Sequence, residues 1–245
     1  PRPPFAATVL APFATVRQIG DAVPHLIRSG IAPLLVEYID LVSMAGITAN
    51  AGIELGIPDR LREQALAYLV VVVEGHHQAR LDEDVAALAE LLADRDALDV
   101  FVLPHSAGSQ LIEAREKAFW AAKAAGADDI VDVVVPRASL PEYLDTVGGL
   151  AAASGSLVVG CGHAGDGNVH LSVWQGDPEV RHRLLSDIVG AGLELGGAVS
   201  GEHGIGTEKK AFFERFEDPV KVEVMRRIKA VFDPVGILNP GTVFD

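Results

Sequence analysis

Gly160-Cys161-Gly162-His163-Ala164-Gly165-Asp166-Gly167-Asn168-Val169-His170-Leu171-Ser172-Val173-Trp174 is the stretch that decides how the fold is read. Asp-Gly between two strand-like runs signals a tight β-hairpin, because both central residues of such a turn need φ > 0. A two-residue turn centred on Asp166-Gly167 makes Gly165 face Asn168 and His163 face His170. Side chains opposed in this way share one face of the sheet, with Cβ atoms ~4.5–5.5 Å apart. Two imidazoles so placed can bind one divalent cation at ~2.0–2.1 Å each. The plainer reading of the same spacing is a pair of polar residues at a sheet edge. The glycines leave the backbone open to a ligand. Gly160, Gly162 and Gly165 also spell G-x-G-x-x-G, but a dinucleotide site must open a helix, and here Asp-Gly-Asn and an alternating strand follow.

Outward from the hairpin, strand-like and helix-like segments alternate. Residues 6–10, 32–38, 68–73 and 100–103 read as strands of a first half, with helices over 16–28, 39–51, 81–92 and 112–124. A second half repeats the rhythm. It has a strand at 130–135 and a helix opened by Ser139-Leu140-Pro141-Glu142, which has capping-box spacing. A helix then begins at Asp177-Pro178 and ends at Gly196-Gly197. The last opens at Asp218-Pro219, with Val220, Val224, Ile228 and Val231 on one face. Residues 1–245 are thus expected to form one unit of two β/α halves, 1–126 and 127–245. Alternation alone favours a parallel sheet; the hairpin requires at least one antiparallel pair.

The 245 residues are 49% hydrophobic and 22% charged, enough for a folded core and too apolar for a disordered chain. A net charge of −14 disfavours nucleic acid and anionic membrane surfaces as partners. The single cysteine, Cys161, cannot form an internal disulfide, so a reducing, cytoplasmic setting is expected. No apolar run approaches the ~18 residues of a transmembrane helix. The chain begins Pro1-Arg2-Pro3-Pro4 without an initiator methionine, which reads either as a trimmed start or as a piece of a longer protein.

Ser200-Gly201-Glu202-His203-Gly204-Ile205-Gly206 is a second cluster of chemistry-bearing residues. Glu202 could complete a His-His-Glu metal site with positions left open for substrate. His203 beside it could act as a general base near neutral pH. Spacing alone leaves a second reading open, a glycine-rich surface turn carrying a solvated Glu-His pair.

The hairpin motif, the Ser200–Gly206 motif and Leu238-Asn239-Pro240-Gly241, in this order, resemble the C-terminal part of FAD-linked 2-hydroxy-acid dehydrogenases, a family that includes the glycolate oxidase FAD subunit, D-lactate dehydrogenase and D-2-hydroxyglutarate dehydrogenase. The resemblance spans essentially the whole chain. It implies an α+β cap domain, an antiparallel sheet with helices mainly on one face in a ferredoxin-like arrangement. It implies an N-terminal FAD-binding domain outside this chain, with the active site between the two. It implies that His163, His170 and Glu202 bind a divalent metal, usually zinc, and that His203 is the base on the substrate hydroxyl. It places Asn168 and Arg115 on the substrate, Arg115 through its carboxylate, and Asn239 on the cofactor. Arg115 on spacing alone is equally a surface arginine among helix charges.

Two departures bear on the substrate. Ile112 stands where the family often has Trp. Ile130 stands where 2-hydroxyglutarate members carry Lys, which argues for a monocarboxylate such as lactate or glycolate. The function so implied is oxidation of a D-2-hydroxy acid by hydride transfer to flavin, the fragment alone being inactive. The expected partners are the acid, the FAD domain of the same protein, an unidentified electron acceptor and a second copy in a homodimer. The competing reading is a non-catalytic metal- or ligand-binding module, or a subunit that completes another chain's site.

Overall fold

Seven segments of alternating apolar residues assemble into one sheet. The computed structural model describes residues 3–244. The first half comprises β1 (Phe5–Phe13), α1 (Val16–Arg28), β2 (Pro33–Asp40), α2 (Leu41–Ala51), the short α3 (Asp59–Arg62), β3 (Ala67–Gly75), α4 (Gln78–Ala93), β4 (Phe101–Leu103), α5 (His105–Glu116) and α6 (Ala118–Ala124). The second comprises β5 (Asp129–Val134), α7 (Leu140–Ser154), β6 (Leu157–His163), β7 (Asn168–Trp174), α8 (Pro178–Glu194), α9 (Lys210–Phe216) and α10 (Pro219–Phe232). The strand order is β4-β1-β3-β2-β6-β7-β5, and every pairing is antiparallel. The two halves meet where β2 pairs with β6.

The period-two pattern divides the core. Val9, Ala11 and Phe13 of β1, with Leu69, Val71 and Val73 of β3 and Val169, Leu171 and Val173 of β7, face the helix layer of α1, α4, α7 and α8. Their neighbours Leu10, Ile39, Tyr68 and Val70 point the other way and pack with Met44 and Ile47 of α2 and Leu111 of α5. On that second face, β6 and β7 carry the polar residues of the hairpin, and β5 carries Asp132 beside them. α1 illustrates why a segment becomes a helix here. Ile19, Val23 and Leu26 bury at i, i+4 and i+7, and Thr15 with Gln18 closes a capping box at its start.

Three local expectations are corrected. The hairpin turn spans four residues, Ala164 to Gly167, so the register differs by two: His163 pairs with Asn168 and Cys161 pairs with His170. The turn is docked on both sides, Gly165 N–H to Val36 O at 3.2 Å and Val135 N–H to Gly167 O at 2.9 Å, which a tighter turn could not reach. A two-residue shift preserves the face of every side chain, whereas a shift of one reverses it. His163 and His170 therefore become diagonal rather than opposed neighbours on one face. The expected helix over 112–124 is two helices broken at Lys117, where φ −92° and ψ 1° leave the helical region. The capping box at Ser139 does not form, because that residue lies in a 3₁₀ turn and its side chain caps nothing.

Candidate functional site

Four elements bring the site together. β2 contributes Glu37, β6 His163, β7 His170 and β5 Asp132, all on the face opposite α1, α4, α7 and α8. The loop after α8 brings Glu202 and His203. Glu202 Oε1 lies 3.3 Å from His163 Nε2 and 3.1 Å from His170 Nε2. The three ligand atoms lie within 4.8 Å of one another. Two donors each ~2.1 Å from one cation are ~3.0–3.4 Å apart at right-angled to tetrahedral geometry, so the two separations from Glu202 fit a shared ion. His170 Nε2 is moreover buried without a hydrogen-bond partner.

Sequence reasoning missed Glu37, which is only 1% exposed. One of its oxygens meets His163 Nδ1 at 2.5 Å and the other meets Arg115 Nε at 2.5 Å. With Nδ1 bonded to the carboxylate, Nε2 is the nitrogen left facing Glu202, the arrangement that orients a metal-ligating histidine. The bond to Glu37 also raises the pKa of His163. His170 goes the other way. Burial, helped by the Arg115 charge, lowers its pKa to about 4, so the ring is neutral near pH 7.

Asp132 was missed as well, and it explains how a loop so distant in sequence arrives at the hairpin. Its fully buried carboxylate accepts hydrogen bonds through Oδ2 from Ser200 Oγ at 2.7 Å and from the backbone N–H groups of Gly201, Glu202 and His203 at 3.1, 3.2 and 2.9 Å. Lys209 Nζ stands 3.4 Å away. Burial on its own would raise this acid, but the Ser200 and His203 donors and Lys209 outweigh it and hold it well below the usual carboxylate range. Gly201 is needed where the loop crosses β7, because a Cβ there would run into the Asn168 amide. The available signal was a charged residue at alternate position in an apolar strand, as in Ile130-Val131-Asp132-Val133 and Leu35-Val36-Glu37-Tyr38.

The other expected residues are placed as follows. His203 stacks on His170, ring centroids 4.8 Å apart and planes at 12°, and is 40% exposed at the mouth of the site. Arg115 leaves α5 with its side chain 10% exposed, and its Nη2 is buried without a hydrogen-bond partner. Asn168 lies buried under the Gly201 loop, its Oδ1 unpartnered, and does not line the cavity described next. Asn239, at φ 46°, borders a different hollow with Lys229 and Phe232. Cys161 is buried, and burial pushes its thiol up to about 11, which suits a packing residue rather than a nucleophile. A cavity of about 290 Å³ opens from Arg115, His170, Glu202 and His203 and runs between the sheet and helices α2 and α6.

Residues 2–243 match the family described as FAD linked oxidases, C-terminal domain. Over 244 residues, all of this chain and 53% of the relative, it is 54% identical to an uncharacterized FAD-linked oxidoreductase of Mycobacterium tuberculosis. It is 32% identical to a glycolate oxidase subunit of Escherichia coli, over 98% of this chain and 48% of that one. It is 30% identical to a D-lactate dehydrogenase of Archaeoglobus fulgidus, over 96% and 51%. The chain thus spans about half the length of the curated relatives it matches. Among solved structures, p-cresol methylhydroxylase aligns over all of this chain and 54% of that one, with a TM-score of 0.67 at 16% identity, a likeness of fold alone.

Proposed function

The chain belongs to the C-terminal domain family of FAD-linked oxidases, and from that premise we propose that it is the substrate- and metal-binding part of a flavoenzyme oxidising a D-2-hydroxy monocarboxylic acid to the 2-oxo acid. The observation that carries this reading is the convergence of Glu202 on His163 and His170 beside the unpartnered Nη2 of Arg115. His163, His170 and Glu202 would hold a divalent cation, their nitrogen and oxygen donors suiting zinc, iron or manganese. When bound, that cation supplies a Lewis acid and the FAD of the adjoining half supplies a hydride acceptor.

The chain's own residues do the rest. Arg115 binds the substrate carboxylate through the nitrogen that Glu37 leaves free. His203 takes the hydroxyl proton as the α-hydrogen departs with its electron pair, and the C2–O bond becomes a carbonyl. The neutral ring of His170, stacked beneath His203, adds no repelling charge to the imidazolium that forms. Support for an adjoining half comes from α10, where Val220, Val224, Ile228 and Val231 are 48–76% exposed, continued by Val235 and Ile237. No helix among the described residues is long and apolar enough to cross a membrane.

The test is the full-length protein with an artificial electron acceptor and a panel of D- and L-2-hydroxy acids. D-selective turnover with bleaching of the flavin is expected. Absence of turnover with every acid, in protein shown to contain flavin and metal, refutes the reading.

A further inference from the structure

The cavity that starts at His170 continues along the sheet, away from His163, and its floor changes character from row to row. Cross-strand partners define the rows. Asp132, His170 and Cys161 form the first; Ile130, Ser172 and Val159 the second; Trp174 and Leu157 the third. Successive rows are ~7 Å apart, two residues at ~3.4 Å each. Beyond the polar first row the floor is one hydroxyl between two branched aliphatic side chains. The indole of Trp174 stands at the far end, its Nε1 donating to the Ala125 carbonyl at 3.3 Å. Ile47 of α2 and Ala122 of α6 line the opposite side. Among the described residues that line the cavity, the only arginine or lysine is Arg115, at the histidine end.

Resting on the reading of a 2-hydroxy acid held by Arg115 and the metal ligands, we propose that this cavity receives the substrate's side chain. The preferred substrates are 2-hydroxy acids bearing an apolar group of leucine or phenylalanine size, not glycolate, lactate or a diacid. With the carboxylate on Arg115 and the hydroxyl at the His170–Glu202–His203 end, the substituent on C2 extends over the second row. That row lies ~7 Å beyond the first and Trp174 ~7 Å further on, which leaves room for a branched or aromatic side chain. The methyl of lactate leaves the Ile130–Val159 row without partner atoms, so those contacts are lost. A second carboxylate would be buried against Ile130, Val159 and Ile47 with no cation to meet it. The volume of about 290 Å³ sits at the small end of small-molecule sites, ~300–1,000 Å³.

The experiment compares kcat/KM of the full-length protein for D-lactate, D-2-hydroxy-4-methylpentanoate, D-3-phenyllactate and D-2-hydroxyglutarate. Calorimetry on the same protein measures binding of the matching 2-oxo acids. At least one of the two apolar acids is expected to exceed lactate by about tenfold or more in both readouts. Ala122→Leu, which fills the cavity opposite the second row, is expected to lower that ratio by about tenfold. Should that variant fail to fold, the wild-type panel decides alone. If lactate or 2-hydroxyglutarate matches or outdoes the apolar acids, the inference falls and the dehydrogenase reading survives. If no 2-hydroxy acid is oxidised and no 2-oxo acid binds, both fall together.

Discussion

Replacing Asp132 by Asn or Ala tests whether one buried carboxylate aims the Glu202 loop at the histidines. Its Oδ2 satisfies four donors from residues 200–203 and faces Lys209. In Asp132→Ala these donors and the ammonium lose their acceptor in a buried place. Breaking such a buried charge arrangement from one side costs ~3–5 kcal/mol. Asp132→Asn keeps an oxygen, but neutral hydrogen bonds are roughly half as strong as charge-assisted ones, so ~2 kcal/mol is expected. Because Glu202 is held through this anchor, the loss should also appear in metal affinity. A residue that orients a ligand changes affinity ~10–100-fold. Urea unfolding and zinc titration calorimetry on the two variants measure both effects. Wild-type zinc affinity in Asp132→Ala, with the protein still folded, refutes the anchoring role.

Four further outcomes are expected. His163→Ala and His170→Ala each lower zinc affinity by more than about tenfold in calorimetry; unchanged affinity in both removes them as ligands. Glu37→Ala costs ~3–5 kcal/mol in urea unfolding, since it strands buried Arg115, whereas Asp145→Ala, which breaks the exposed pair with Arg17, costs at most ~1 kcal/mol; equal losses contradict the difference in burial. Asp233 is held down to about 2 by Lys229, with help from the Leu238 and Ile237 N–H groups. Its stabilisation is therefore complete above the unfolded value of ~3.9 and lost as pH falls toward 2. Amide exchange at Ile237 and Leu238 should speed up, relative to intrinsic rates, over that window in the wild type and not in Asp233→Asn. Finally, removing the divalent cation with a chelator lowers 2-oxo acid affinity by about tenfold or more; binding that ignores the cation separates the acid site from the metal site.

The strands and the shared face of the hairpin residues were legible because burial imposes a period of two, as in Val169-His170-Leu171-Ser172-Val173-Trp174, whereas the alternation of strands with helices favoured a parallel sheet and only the hairpin and the family resemblance pointed to the antiparallel one observed. The register was not. Asp166-Gly167 is a good two-residue turn by local chemistry, and what lengthens it is tertiary, Gly165 and Gly167 bonding to β2 and to Val135. Chemistry-bearing residues in glycine-rich stretches, His163, His170, Glu202 and His203, stood out by type and setting. Glu37 and Asp132 did not, because an acid inside an apolar strand looks like a solvated alternate position until neighbouring elements cover it. That Glu202 returns to the hairpin depends on donors in its own loop finding Asp132, a contact spanning about 70 residues that no local spacing encodes.

The two unanticipated carboxylates also make the site's charge intelligible. Glu37 and Asp132 are buried, and each is held by a cation, Arg115 and Lys209 respectively. Glu202 is a third acid, and its ion-pair partners among the described residues are imidazoles. Formally the cluster carries three negative and two positive fixed charges, a net of −1, which by itself repels a substrate carboxylate. A divalent cation turns that sum to +1, and a bound monocarboxylate returns it to zero. On the proposed reading, then, the cation is what lets an acidic protein accept an acidic substrate here. A second substrate carboxylate would overshoot neutrality as well as lying against Ile130 and Val159. On that same reading, electrostatics at one end of the cavity and hydrocarbon at the other would select for the same molecule, a monocarboxylate with an apolar tail.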